Sequence, residues 1–218
     1  MQLQMCSWID DLGGGAPIGD PLGVLCCSAD EAADVFAVGG AVLICDLSAG
    51  ELVAELCVPA EGLTTKKSAF LVRHTSGIMT ATIDTVAAQR LDLPPLRLDF
   101  ERDAGRFCVA VDAKSRTTGI SAQERARTIT RIADIDARPT DFDRPGHVLP
   151  VVTGGAFAGA RWTRYDAAAA LSRRAGLSGV VASAPLVDGL GATAVPFVAD
   201  FARAHQMNLV FANQLKPN

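Results

Sequence analysis

The stretch TTGISAQERARTI, Thr117 to Ile129, joins a polar Gly-containing loop to a helix start. Ser121 can accept from the first turn as an N-cap, and AQERARTITRIAD continues the helix. Upstream, RFCVAVDA (Arg106 to Ala113) alternates as a strand does; downstream, HVLPVV (His147 to Val152) is apolar enough for another. The same mixture runs through the chain. AVLICDL and IMTATI read as strands, and SGVVASAPL and MNLVFANQL as two more. ELVAELCVPAE is extended despite its helix formers. ADEAADVFAVGG, KKSAFLVRHTSG, YDAAAALSRRAGL and VPFVADFARAHQ read as helices, several closed by glycine. The expected fold is an α/β (α+β) single-domain sandwich over residues 29–218. Residues 1–28, with GGGAPIGDPLG, form an irregular lead-in.

Composition narrows the function. The chain of 218 residues is 49% hydrophobic and 20% charged, with a net charge of -4. That balance disfavours nucleic acid and anionic membranes as partners. No apolar run reaches the roughly 18 residues of a membrane helix. The start, MQLQMCSWIDDLGGG, has no signal-peptide pattern. The six cysteines show no C-x-x-C spacing, so reduced thiols in a cytoplasmic protein are expected. Cys57 and Cys108 sit in apolar stretches and are expected in the core. Arg125, Arg127 and Arg131 recur along one helix, as a solvated face or a dimer contact.

Three stretches carry a family resemblance: TTGISAQERARTI, DFDRPGHVLP (Asp141 to Pro150) and AALSRRAGLSGVV (Ala169 to Val181). FLVRHTSGIM and the ending FARAHQMNLVFANQL agree with them. Together, over about residues 30 to 215, they resemble the 3,4-dihydroxy-2-butanone 4-phosphate synthases. The resemblance implies an α/β homodimer with active sites at its interface. It implies conversion of ribulose 5-phosphate into a four-carbon ketone phosphate and formate, with magnesium as cofactor.

Carried over residue by residue, the resemblance places several groups in the site. The acidic loop of the family falls on CDLSAGELVAEL, Cys45 to Leu56. A metal-ligand glutamate is matched by Glu51, an aspartate by Glu55, and a second glutamate by Val53. The phosphate-gripping arginine is matched by Arg161. The metal-ligand histidine falls on Arg164, the next two positions on Tyr165 and Asp166, and a late catalytic glutamate on Ser183. His147, of Pro-Gly-His, takes the place of a pocket histidine, and Thr118 that of a residue near the substrate hydroxyls. A guanidinium has no acceptor for a cation.

The catalytic candidates are therefore His147, Glu51 and Glu55. The substrate-binding candidates are Thr118, Arg161, Arg164, Tyr165, Asp166 and Ser183, with no metal ligand set and no cofactor. The replaced ligands lead to the expectation of a repurposed enzyme. It would carry out metal-independent proton transfer, dehydration or cyclisation on a different small molecule, in specialised metabolism. Two alternatives stand beside it: a non-catalytic homologue that pairs with a pathway enzyme, and the ordinary synthase with its magnesium.

Overall fold

The computed structural model describes residues 26–48, 51–96, 106–154, 162–188 and 195–217. The first 25 residues of the expected lead-in, Arg161 and most of the loop before it lie outside these. Among the described residues, seven strands form one mixed sheet. In chain order they are β1 (Val42–Ser48), β2 (Glu51–Pro59), β3 (Met79–Ile83), β4 (Val111–Ala113), β5 (Phe142–Val152), β6 (Val181–Pro185) and β7 (Asn208–Phe211). Their spatial order is β4-β5-β3-β6-β2-β1-β7, parallel at β5-β3 and β1-β7 and antiparallel elsewhere.

The described residues also form six α-helices, α1 (Ala29–Ala37), α2 (Thr65–His74), α3 (Thr85–Arg90), α4 (Ala122–Ala133), α5 (Arg164–Arg174) and α6 (Val195–His205). Strand alternation sorts the sheet into two faces. Leu43, Leu56, Met79, Val148 and Ala182 pack with α2, α3, α4 and α6 in one core; Val42, Ile44, Cys57 and Val181 pack with α1 and α5 in a second. Each fully buried Leu or Ile there contributes about 1.5–3 kcal/mol.

Local chemistry sets the helix starts. Ser28 and Glu31 form a capping box on α1, and Ser121 accepts from Glu124 N on α4. Within α4, Ala126, Ile129 and Ile132 line the buried stripe. Arg125 turns inward with them and donates to Gly77 O at 2.7 Å, so the expected solvated arginine face keeps Arg127 but loses Arg125. Cys57 and Cys108 are in the core as expected. His74 packs in a ring cluster with Phe70, Phe201 and His205 between α2 and α6.

Residues 144–147 bulge out of β5. Val111 of β4 pairs with Val148, but the next residue, Asp112, pairs with Asp143. The Arg-Pro-Gly-His segment therefore has no ladder partner on β4, and the Arg144–Pro145 peptide within it is cis. Gly146 lies so close to β4 that a Cβ there would stand 2.1 Å from the Val111 carbonyl carbon. The bulge holds His147 beside Asp112.

The start of α5 is fixed by a buried carboxylate. Asp166 accepts from Thr163 N and Thr163 Oγ1, from Gly154 N at the end of β5, and from Arg106 Nη1 at 2.7 Å. Both charged side chains are nearly inaccessible, at 9% and 3%. Burial works against the charge on Asp166. The hydrogen bonds from Gly154 and Thr163 and the Arg106 charge outweigh it and hold its pKa below the usual value.

Replacing Asp166 by Ala removes the buried carboxylate that faces Arg106, so Asp166→Ala is expected to lose about 3–5 kcal/mol in denaturant unfolding. The contribution of Asp166 is present above its unfolded pKa, about 3.9. It is lost as pH falls through the lower folded value. Stability of the native chain should fall across that acid window, and Asp166→Asn should flatten this part of the profile.

Candidate active site

Most of the predicted site residues stand on the α5 face of the sheet, in two groups. The first is buried under the start of α5. Glu55, 1% exposed, projects from β2 and accepts from Arg164 Nε at 2.7 Å. Arg164 also donates to the Tyr165 hydroxyl at 3.0 Å, and its guanidinium lies 4.6 Å over that ring. Tyr165 packs edge-on against Phe107. Ser183 of β6 is buried next in line, its hydroxyl 2.7 Å from that of Thr80 on β3.

The electrostatics of this group follow from burial. Loss of water pushes the Glu55 carboxyl above the usual carboxylate range, against the pull of Arg164 and of the nearby Ser183 and Tyr165 hydroxyls. Its Oε2 is buried and makes no hydrogen bond of normal geometry with the described residues. Burial opposes the charge on Arg164, but Glu55 outweighs it and raises the guanidinium pKa. Burial raises that of the Tyr165 hydroxyl.

The second group surrounds His147. Asp112 Oδ1 accepts from His147 N at 2.9 Å, and Oδ2 lies 2.7 Å from His147 Nδ1. An ionised carboxylate can only accept, so this contact puts the ring proton on Nδ1 and leaves Nε2 as the open nitrogen. Gly119, at φ +78°, packs on the same carboxylate; a Cβ there would meet Asp112 Oδ2 at 2.1 Å. Thr118, the residue before it, is exposed.

The two groups do not converge within one chain. Leu149, Thr80, Ser183 and Cys57 follow one another across β5, β3, β6 and β2. His147 and Glu55 each stand two residues from that row in the same direction. Three strand spacings separate them, about 14 Å. Asp112 holds His147 on the side away from β2.

Other candidates have different surroundings. Asp166 is occupied by the Arg106, Thr163 and Gly154 contacts that fix α5. Glu51 opens β2 opposite Ser48. Arg161 lies outside the described residues. An open groove of about 880 Å³ between Thr64 and α4 is on the opposite face and contains none of the predicted residues. Sequence reasoning missed Asp112 and Thr80. The acidic residue in the apolar run FCVAVDA was the available signal for the first; Thr80 had none.

Among the described residues, Arg164 and Glu55 as paired do not suit a divalent cation. Among the described residues, no three His, Cys, Asp or Glu side chains gather to hold one. Glu55 already faces a guanidinium, which repels a cation and offers it no lone pair.

Residues 30–217 match the family model of 3,4-dihydroxy-2-butanone 4-phosphate synthase. A synthase of that name from Pyricularia oryzae is 39% identical over 158 residues, 70% of this chain and 67% of its own length. That of Candida albicans is 32% identical over 191 residues, 85% of this chain and 93% of its own. A crystal structure of such a synthase with two magnesium ions shares 30% identity. It superposes with a TM-score of 0.75, covering 87% of this chain and 94% of that one. These findings overturn the expected repurposing toward another substrate: each of these relatives bears the synthase name, and none points to a different reaction. The replaced residues alone had suggested it, but replaced ligands do not specify a new substrate. The chain belongs to the 3,4-dihydroxy-2-butanone 4-phosphate synthase family.

Proposed function

We propose that the chain is a cytoplasmic homodimeric lyase that converts ribulose 5-phosphate into 3,4-dihydroxy-2-butanone 4-phosphate and formate. Family membership over most of the chain supplies the substrate. The observation that carries the chemistry is the clamp of Asp112 on His147. Enolisation of a ketose needs a base at the carbon beside the carbonyl, and a clamped imidazole with a free Nε2 is such a base. The resemblance assigns Thr118 to a substrate hydroxyl. The Glu55 strand is about 14 Å away across the sheet in the same chain. A site formed between two copies would let His147 of one meet the Glu55 group of the other.

Magnesium, where relatives use it, would stabilise enediolate charge. The described residues do not fit it, and no step here is drawn through it. The same misfit favours one second reading, a non-catalytic homologue that pairs with an active synthase. Arg164 and Ser183 stand where the resemblance places an imidazole and a carboxylate.

The deciding assay is formate release from ribulose 5-phosphate by the purified chain, with magnesium and with a chelator. One formate per substrate consumed is expected. Absence of formate under both conditions, from a folded dimer, overturns the synthase reading and favours the second.

His147→Gln should lower kcat roughly 10²–10⁴-fold, the usual contribution of a positioned acid or base. Asp112→Asn should lower kcat by a smaller factor and displace the pH-rate profile, because the amide no longer fixes the Nδ1–H tautomer. An unchanged kcat and pH profile in both variants would remove the clamp from the mechanism.

A further inference from the structure

Arg164 is held as a fork with donors to spare. A guanidinium carries five N–H groups. Among the described residues, Nε donates to Glu55 and Nη2 to the Tyr165 hydroxyl, which accounts for two. The Arg164 side chain is 25% exposed while that of Glu55 is 1% exposed, so the pair is anchored at its inner end and open at its outer one. The Tyr165 ring beneath keeps the guanidinium plane in place. Such a fixed, planar, partly desolvated fork matches the oxygens of a phosphate or carboxylate far better than it matches a cation.

The surroundings add to this preference. Arg164 is the first residue of α5, an 11-residue helix whose amino end carries partial positive charge. The neighbouring carboxylate, Asp166, is already bound by Arg106 and by the amides of Thr163 and Gly154. The remaining negative group is Glu55, and one of its oxygens, Oε2, is buried without a hydrogen bond from the described residues. The Arg164 charge opposes a metal here; a bound oxyanion would engage the donors left over.

The geometry points to Arg164 as a seat for the oxyanion of a phosphate monoester, with Glu55 and Tyr165 as its positioning groups. This deepens the reading of a sugar-phosphate enzyme and rests on it for the kind of ligand. It assigns to a side chain of the protein a place where a charge-stabilising cation would otherwise stand.

The test uses the full chain and two probes, inorganic phosphate and Mn²⁺. Phosphate titrated by calorimetry should bind the native chain, and Mn²⁺ followed by electron paramagnetic resonance should stay free. Arg164→Lys keeps the charge but loses the fork, and should weaken phosphate at least about tenfold. The double variant Glu55→Gln with Arg164→Gln leaves no charge uncompensated and should abolish phosphate binding while the circular dichroism stays native. Equal phosphate affinity in the native chain and both variants overturns the seat, and so does Mn²⁺ bound by the native chain with loss in the double variant. Formate release with phosphate binding indifferent to Arg164 removes the seat alone. Phosphate binding that depends on Arg164, in a chain that releases no formate, removes the reaction and leaves the seat standing.

Discussion

The carboxylate of Asp166 ties together the start of α5, the end of β5 and Arg106. A buried charge is tolerated when every lone pair has a donor, and here the donors come from three separate stretches of chain. The consequence is positional. With the first turn of α5 pinned, Arg164 and Tyr165 can only stand over β2 and β6, where Glu55 and Ser183 face them. The arginine is thus placed by a neighbour two residues on, and the Glu55 pair forms on a platform already made.

The fold was legible because its signals are local. Apolar runs marked β1 and β3, and Ser121 marked a helix start that the structure realises as a cap. ELVAELCVPAE was hardest among the strands, since Glu, Leu and Ala favour helix. Pairing with β1 along Val42–Ser48 and with β6 overrides that preference. Strand β4 is shorter than FCVAVDA suggested, because ahead of Val111 the residues Phe107 and Cys108 make only isolated bridges, to Val151 and Pro95.

The site was legible only by resemblance, and then incompletely. Its contacts join residues far apart in sequence, Asp112 to His147 and Glu55 to Arg164, and no periodicity reports such pairs. The motif around His147 illustrates the difference. Pro-Gly-His looks like a turn, yet it is a bulge inside β5, and its glycine is there because the β4 backbone passes too close for a side chain. What the histidine needs is Asp112, a residue hidden in a short strand. Asp166 shows the reverse case, a residue placed in the pocket by counting but occupied by structural contacts.

The charge at Arg164 and Glu55 has an internal logic that bears on the family's metal. A carboxylate buried alone would be driven neutral, and a guanidinium buried alone would be strongly destabilising. Each makes the other tolerable, and together they close a position that a cation would need both open and negative. Replacing an imidazole by a guanidinium there cannot be an isolated change; it requires an acid beneath it, and Glu55, one methylene longer than the aspartate of the resemblance, reaches it at 2.7 Å. The positive charge at this position is then built into the chain. A sugar phosphate needs such charge close to its oxyanion, whatever the source. On this reasoning the departure of Arg164 from the family pattern and the family's reaction are compatible.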